Sequence, residues 1–399
     1  MTMKEQILAT LSGKPTDQLP FLPRLDIWYN ANAQAGTLPD PYKKATLREI
    51  TDDLDLGYHS IIPNFRDFRV KDGDLDVGLG IYDLNLTPYI IKLHNVKRTH
   101  SRTADGRLHV EYDTPKGKIT TTVVFDERMR ASGLTLYATT EHAIKTNKDF
   151  DAVAYILQNA EIIPNYDAYR KYQEDFIGSR GVAVALAAMF ASPVHYLIKE
   201  LMAIDAFYYE MADHPDELEA FAEQITPYFD KLFEIAAKSP AEVILSGANY
   251  DASITPPPMF EQYITPTLKK NSQKLHDMGK FLATHTDGEN TNLLEQYAAA
   301  RIDIADSICP APMTRVSFED ARKAFQDNGT TIWGGVPSVS ALSECTSQFD
   351  FEAYMDHMLE CAGRGDHLIV AVADTVPPAA DFNRILYIAK KVREFGPVK

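Results

Sequence analysis

Apolar runs that halt at a reactive side chain constrain this sequence most. Val243-Ile244-Leu245-Ser246-Gly247 leads into Ala248-Asn249-Tyr250-Asp251. Lys280-Phe281-Leu282-Ala283-Thr284 ends in His285-Thr286-Asp287-Gly288, and Ile302-Asp303-Ile304-Ala305-Asp306-Ser307-Ile308 ends in Cys309-Pro310. A short apolar run is a buried strand; a functional group at its C-terminal end followed by a helical stretch is the repeating unit of an α/β barrel. Runs beginning near positions 21, 58, 181, 243, 280, 302, 331 and 367 make eight, with segments between them long enough for helices. The expected fold is therefore α/β, a (β/α)8 TIM-type barrel, with residues 1–399 forming one domain.

Between about Tyr82 and Phe125 the rhythm changes to alternating β-type runs, with turn signals at Ala104-Asp105-Gly106 and Pro115-Lys116-Gly117. This reads as a β-hairpin insertion over 82–130, after the second barrel strand. Helices are expected at 3–12, at Leu47–Leu54, from near Asp149 with Thr146 or Asn147 as N-cap, from Val194 to Ala237 with a break at His214-Pro215, and at 382–395. Phe21 to Trp28 is expected to be a strand carrying Arg24, Asp26 and Trp28 near its end.

A net charge of -16 lacks the positive footprint of a nucleic-acid binder. No apolar run approaches the roughly 20 residues of a membrane span, the N-terminus is charged and lacks a signal-peptide core, and three scattered cysteines cannot build a disulfide framework. A cytoplasmic location is the expectation.

The expected strand ends collect Arg24, Asp26, Trp28, Asn64, Tyr250, Asp251, His285, Asp287, Cys309 and Asp374. A histidine, several carboxylates and a thiol around one barrel mouth could bind a divalent metal such as zinc or serve as general acids and bases. Each has a plainer reading. His285 and Asp287 could be a hydrogen-bonded pair, Cys309 a small buried residue, Asp251 and Asp374 helix caps, and Arg24 with Asp26 an ion pair on one strand face. His59, His142, His195 and His367 read as structural or surface histidines.

At these residues the chain resembles the uroporphyrinogen decarboxylase superfamily of (β/α)8 barrels, and within it the corrinoid-dependent methyltransferases. The resemblance rests on the opening Phe21-Leu22-Pro23-Arg24-Leu25-Asp26-Ile27-Trp28-Tyr29, on Tyr112-Asp113-Thr114-Pro115-Lys116-Gly117, on Thr284-His285-Thr286-Asp287-Gly288, and on Trp333-Gly334-Gly335-Val336-Pro337. The decarboxylases hold a tetrapyrrole with an aspartate ending the second strand; Ile61-Ile62-Pro63-Asn64-Phe65 has no carboxylate there. Of their arginine-rich N-terminal loop only Arg24 is present. The coenzyme M methyltransferases bind zinc through His-x-Cys and a later Cys. Here His285 matches, but Asp287 stands for the first cysteine and Asp374 falls near the second, which makes a harder site.

The resemblance implies a methyltransferase moving a methyl group between a small methylated donor (a methyl ether, possibly aromatic, or a thiol) and a corrinoid carried by a partner protein. His285, Asp287 and Asp251 would be catalytic. Arg24, Asp26, Trp28, Tyr29, Asn64 and Tyr250 would bind substrate, and His285, Asp287, Cys309 and Asp374 are the candidate zinc ligands. A decarboxylase-like lyase and a non-catalytic tetrapyrrole- or corrinoid-binding barrel are the alternatives.

Overall fold

The computed structural model describes residues 1–60 and 68–399. Its strands are β1 (Tyr89–Leu93), β2 (Lys97–Arg102), β3 (Arg107–Thr114), β4 (Gly117–Val124), β5 (Ala138–Glu141), β6 (Ala160–Pro164), β7 (Val184–Ala188), β8 (Val243–Ala248), β9 (Phe281–His285), β10 (Ile304–Ile308), β11 (Thr331–Pro337) and β12 (Leu368–Ala373).

The last six form a parallel sheet in the order β12-β11-β10-β9-β8-β7. Nearly every residue of these strands is buried, because both faces are covered. On one face Val184, Leu186, Val243, Leu245, Ala283, Ile304, Trp333, Ile369 and Ala371 pack with Leu22. On the other, Ala185, Ile244, Leu282, Ala305, Ile332 and Val370 meet the helices. A strand covered on both sides reads as a continuous apolar run, which is why all six were visible in the sequence.

The two edges of this sheet continue into short extended segments. Leu22 N–H donates to Val370 O and Val370 N–H to Pro20 O. Gly57 N–H donates to Phe21 O, and Tyr58 N–H to Arg180 O. The Ser60 hydroxyl reaches Val182 O at 2.6 Å.

The expected strand from Phe21 to Trp28 needs correcting. Only a bridge from Phe21 to Val370 is strand-like, and Asp26–Ala35 is a helix. Pro20 and Pro23 bring no N–H to a ladder, and Asp26 suits a helix's first turn. Asp26, Trp28 and Tyr29 therefore ride on a helix rather than at a strand end.

The antiparallel segment is larger than one hairpin. β2-β3-β4-β5 form a four-stranded sheet extending to Glu141, and β1 pairs with β6. The turns fall at the two Gly-containing signals. Helices Met3–Leu11 and Leu47–Asp53 start at Thr-Glu capping boxes. Thr146 caps a short turn leading into Phe150–Gln158, and the long helical region breaks between Ile204–Asp213 and Pro215–Ala237. No helix among the described residues is long and apolar enough to cross a membrane.

Candidate functional site

Strand register builds the site. Asp306 pairs with His285 on β9 and with Trp333 on β11, so an aspartate and a histidine stand side by side on neighbouring parallel strands. His285 Nδ1 lies 2.6 Å from Asp306 Oδ2, and Asp306 is 1% exposed. His285 Nε2 faces outward along the site, 3.3 Å from Asp374 Oδ1. Asp374, just past the end of β12, is the more open member, its side chain 30% exposed.

Asp374 is gripped from two further directions. Arg24 donates to its Oδ1, and Ser307, in a bulge of β10 with φ of 64°, points its hydroxyl at the same oxygen from 3.3 Å. Arg24 thus reaches across the site to Asp374. Asp287, two residues beyond His285, accepts a 3.2 Å hydrogen bond from Asn249 Nδ2. One donor atom from each of His285, Asp287 and Asp374 lies within 4.8 Å of the others.

Electrostatics polarise this group. Burial would lower the His285 pKa, yet Asp306 and Asp374 push it up to about 10. Burial would raise Asp306, but His285 and His59 hold it well below the usual carboxylate range. Asp374 is held low against burial by Arg24 and His285. Asp287 goes the other way: burial and the charge on Asp374 raise it, favouring its protonated form. The cluster is an imidazolium between two carboxylates, with a guanidinium at one end and, in Asp287, a third carboxyl group whose proton affinity is raised.

Cys309 directly follows β10, with its thiol buried. Its Sγ is 3.4 Å from Met313 Sδ and 3.8 Å from Ala373 O. Burial, then Asp287 and Asp374, push it up to about 12. It is near the carboxylates but outside the set of three converging donors.

Other expected residues have structural partners. Trp28 is buried and stacked on Phe382 at 5.0 Å, and Tyr29 donates to Ala45 O at 3.0 Å. Tyr250 is buried beneath the site, its hydroxyl 2.6 Å from Thr284 Oγ1 and its ring 5.0 Å from that of His195. Asp251 braces its loop, accepting from Ser253 N–H at 2.8 Å and Glu289 N–H at 3.2 Å. Asn64 lies outside the described residues.

Asp306 was not among the expected site residues, and His59 was expected to be a structural or surface histidine. His59 Nε2 is 3.6 Å from Asp306 Oδ1, and its ring meets Trp333 edge-on at 5.1 Å. A signal for Asp306 existed: a carboxylate inside a run that reads as a buried strand demands a cationic or hydrogen-bonding partner.

A metal fits the three converging groups. With Nδ1 held by the Asp306 carboxylate, His285 presents Nε2 toward Asp374 and Asp287, the carboxylate–histidine orientation of metal ligands. The donor set is one nitrogen and two carboxylates, suited to zinc or a harder divalent ion. Such an ion must displace the proton that His285 otherwise holds.

Three comparisons with known proteins bear on this site. The model of the family described as Uroporphyrinogen decarboxylase (URO-D) matches residues 139–395, a span that contains every strand from β6 onward. No curated protein matches the chain. Among solved structures, a methyltransferase from Methanosarcina mazei is similar in fold, with a TM-score of 0.60, 16% identity and 99% of each chain covered.

Proposed function

The chain belongs to the uroporphyrinogen decarboxylase family, and on that premise we propose that it is a methyltransferase, moving a methyl group between a small methylated donor and a corrinoid carried by a separate protein. The single observation that carries this reading is His285 held protonated between Asp306 and Asp374, with Asp287 beside it. The structural neighbour's name points the same way. The same reading takes the sheet as a (β/α)8 barrel in one domain, with residues 20–22 and 57–60 as its first two staves and the antiparallel strands as an insertion. The hydrogen bonds at both sheet edges support that closure.

Breaking a methyl ether leaves an electron pair on oxygen, and an alkoxide or phenoxide leaves poorly. In this site the departing oxygen takes a proton from the His285–Asp287 pair. Asp306, unable to leave its strand, keeps the imidazole ring in place as the proton moves. Arg24 holds Asp374 as a fixed negative charge that steadies the imidazolium. A corrinoid brought by the partner would supply the nucleophile that takes the methyl carbon, the C–O bond breaking with its electron pair left on the departing oxygen. A divalent ion on His285, Asp287 and Asp374 would instead polarise the donor's oxygen or sulfur. Asp251 and Tyr250 support the loop and floor of the site; Trp28 and Tyr29 pack the neighbouring helix.

The decarboxylase-like alternative is disfavoured by the absence of a carboxylate from the sequence Ile61-Ile62-Pro63-Asn64-Phe65 and by the Asp374 partnership of Arg24, the one arginine matching the family's propionate-binding loop. Methyl transfer from methoxylated aromatics and methyl thiols to cob(I)alamin, with carbon dioxide release followed in parallel, tests the reading. His285→Ala should lose at least about a hundredfold in rate, the scale of general acid–base catalysis. An unchanged rate would remove His285 from the mechanism, carbon dioxide release would favour the lyase, and cobalamin binding without turnover would favour a carrier.

A further inference from the structure

A second set of ligand-type side chains lies on the outer helices, apart from the candidate site. The helix Gln348–Cys361 carries His357 and Cys361 four residues apart, hence on one face, and Cys361 Sγ is 3.5 Å from His357 Nε2. The helix Phe318–Gln326 packs against it and places Glu319, in its first turn, opposite that pair. One donor atom from each of Glu319, His357 and Cys361 lies within 4.8 Å of the others.

The backbones beneath these side chains are firmly seated. Phe351, Met355 and Met358 of one helix and Phe318, Ala321 and Phe325 of the other are buried in the same core cluster. Neighbouring charges have other commitments: Asp356 pairs with Lys391, and Asp366 with Arg322 and Arg364. Among the described residues no salt bridge occupies Glu319 or His357. Burial, followed by Glu319 and Glu360, pushes the Cys361 thiol up, so an arriving cation must displace its proton.

We propose that Glu319, His357 and Cys361 form a surface site for one zinc-type divalent ion, bound through imidazole nitrogen, thiolate sulfur and carboxylate oxygen with water completing the coordination. Mixed nitrogen, sulfur and oxygen donors suit zinc and cobalt and not magnesium or calcium. The ion would staple the two helices together and, binding only the folded chain, would raise its stability by mass action.

The test uses the full chain with Cys345→Ser, leaving Cys361 as the accessible thiol, since Cys309 is buried. Cobalt(II) titration should give a thiolate-to-metal charge-transfer band in the near ultraviolet, retained in His285→Ala and lost in Cys361→Ser. His357→Ala should weaken the ion's affinity by about tenfold or more. Zinc should slow alkylation of Cys361 by a similar factor, a readout that leaves all three ligands in place. Alkylation at the same rate with and without zinc, or a band that survives Cys361→Ser, would overturn the proposal.

Discussion

His285 carries a proton that its solvent-exposed counterpart would give up near neutrality, and the sign of that shift has consequences for stability. Its ordinary pKa is about 6.5; here it is pushed up to about 10. Between those values the folded chain binds a proton that the unfolded chain releases, so folding is favoured less as pH rises. The contribution is complete below about 6.5 and lost as pH climbs through about 10. In metal-free protein the denaturation midpoint should fall over that window, and His285→Gln should flatten the fall; parallel slopes would contradict the assignment. Asp306 and Asp374 both raise the His285 pKa, and Asp306 holds the buried ring nitrogen. Asp306→Asn should bring the His285 pKa down and, as for other groups that orient a ligand or base, reduce turnover by about 10- to 100-fold. Following the His285 ring by NMR across the same pH range separates this effect from simple loss of folding.

At the scale of elements, the loop after β9 is fixed by a contact too close for a side chain. Gly288 has a φ of 112°, and a Cβ there would sit 2.1 Å from the Tyr250 carbonyl oxygen. That approach seats Asp287 beside Asp374. Gly288→Ala should cost about 1–3 kcal/mol through strain and overpacking and lower activity, read from the urea midpoint and the methyl-transfer rate. The glycine was in plain view in Thr284-His285-Thr286-Asp287-Gly288, as were the six parallel strands, because burial on both faces writes itself as uninterrupted hydrocarbon. Phe21 to Trp28 deceived for a related reason: its apolar content suits a strand or a buried helix end equally, and local spacing does not choose between them. His285 and Asp374 were legible as polar residues where apolar runs stop. Asp306 was in view as a carboxylate inside an apolar run, but its role was not, since that exists only through register with β9 and the approach of His59, neither of which is written locally.

For the whole molecule, the decisive contact joins residues 350 positions apart: Arg24 and Asp374. It forms because Leu22 and Val370 exchange backbone hydrogen bonds with the opposite segment, so the two ends of the chain lie side by side. A sheet that ended at β12 would leave those amides on an edge, where local opening lets them exchange with solvent. If residues 20–22 and 57–60 close the sheet as barrel staves, Leu22, Gly57, Tyr58 and Val370 should exchange hydrogen as slowly as the centres of β8 and β11. Arg24→Ala should weaken the grip on Asp374 without opening the backbone seam. Activity and the His285 pKa would then change while protection at Leu22 and Val370 persists. Exchange of those four amides at the rate of surface loops would mean an open sheet, and the site would lack the rigid wall that holds Arg24 against it.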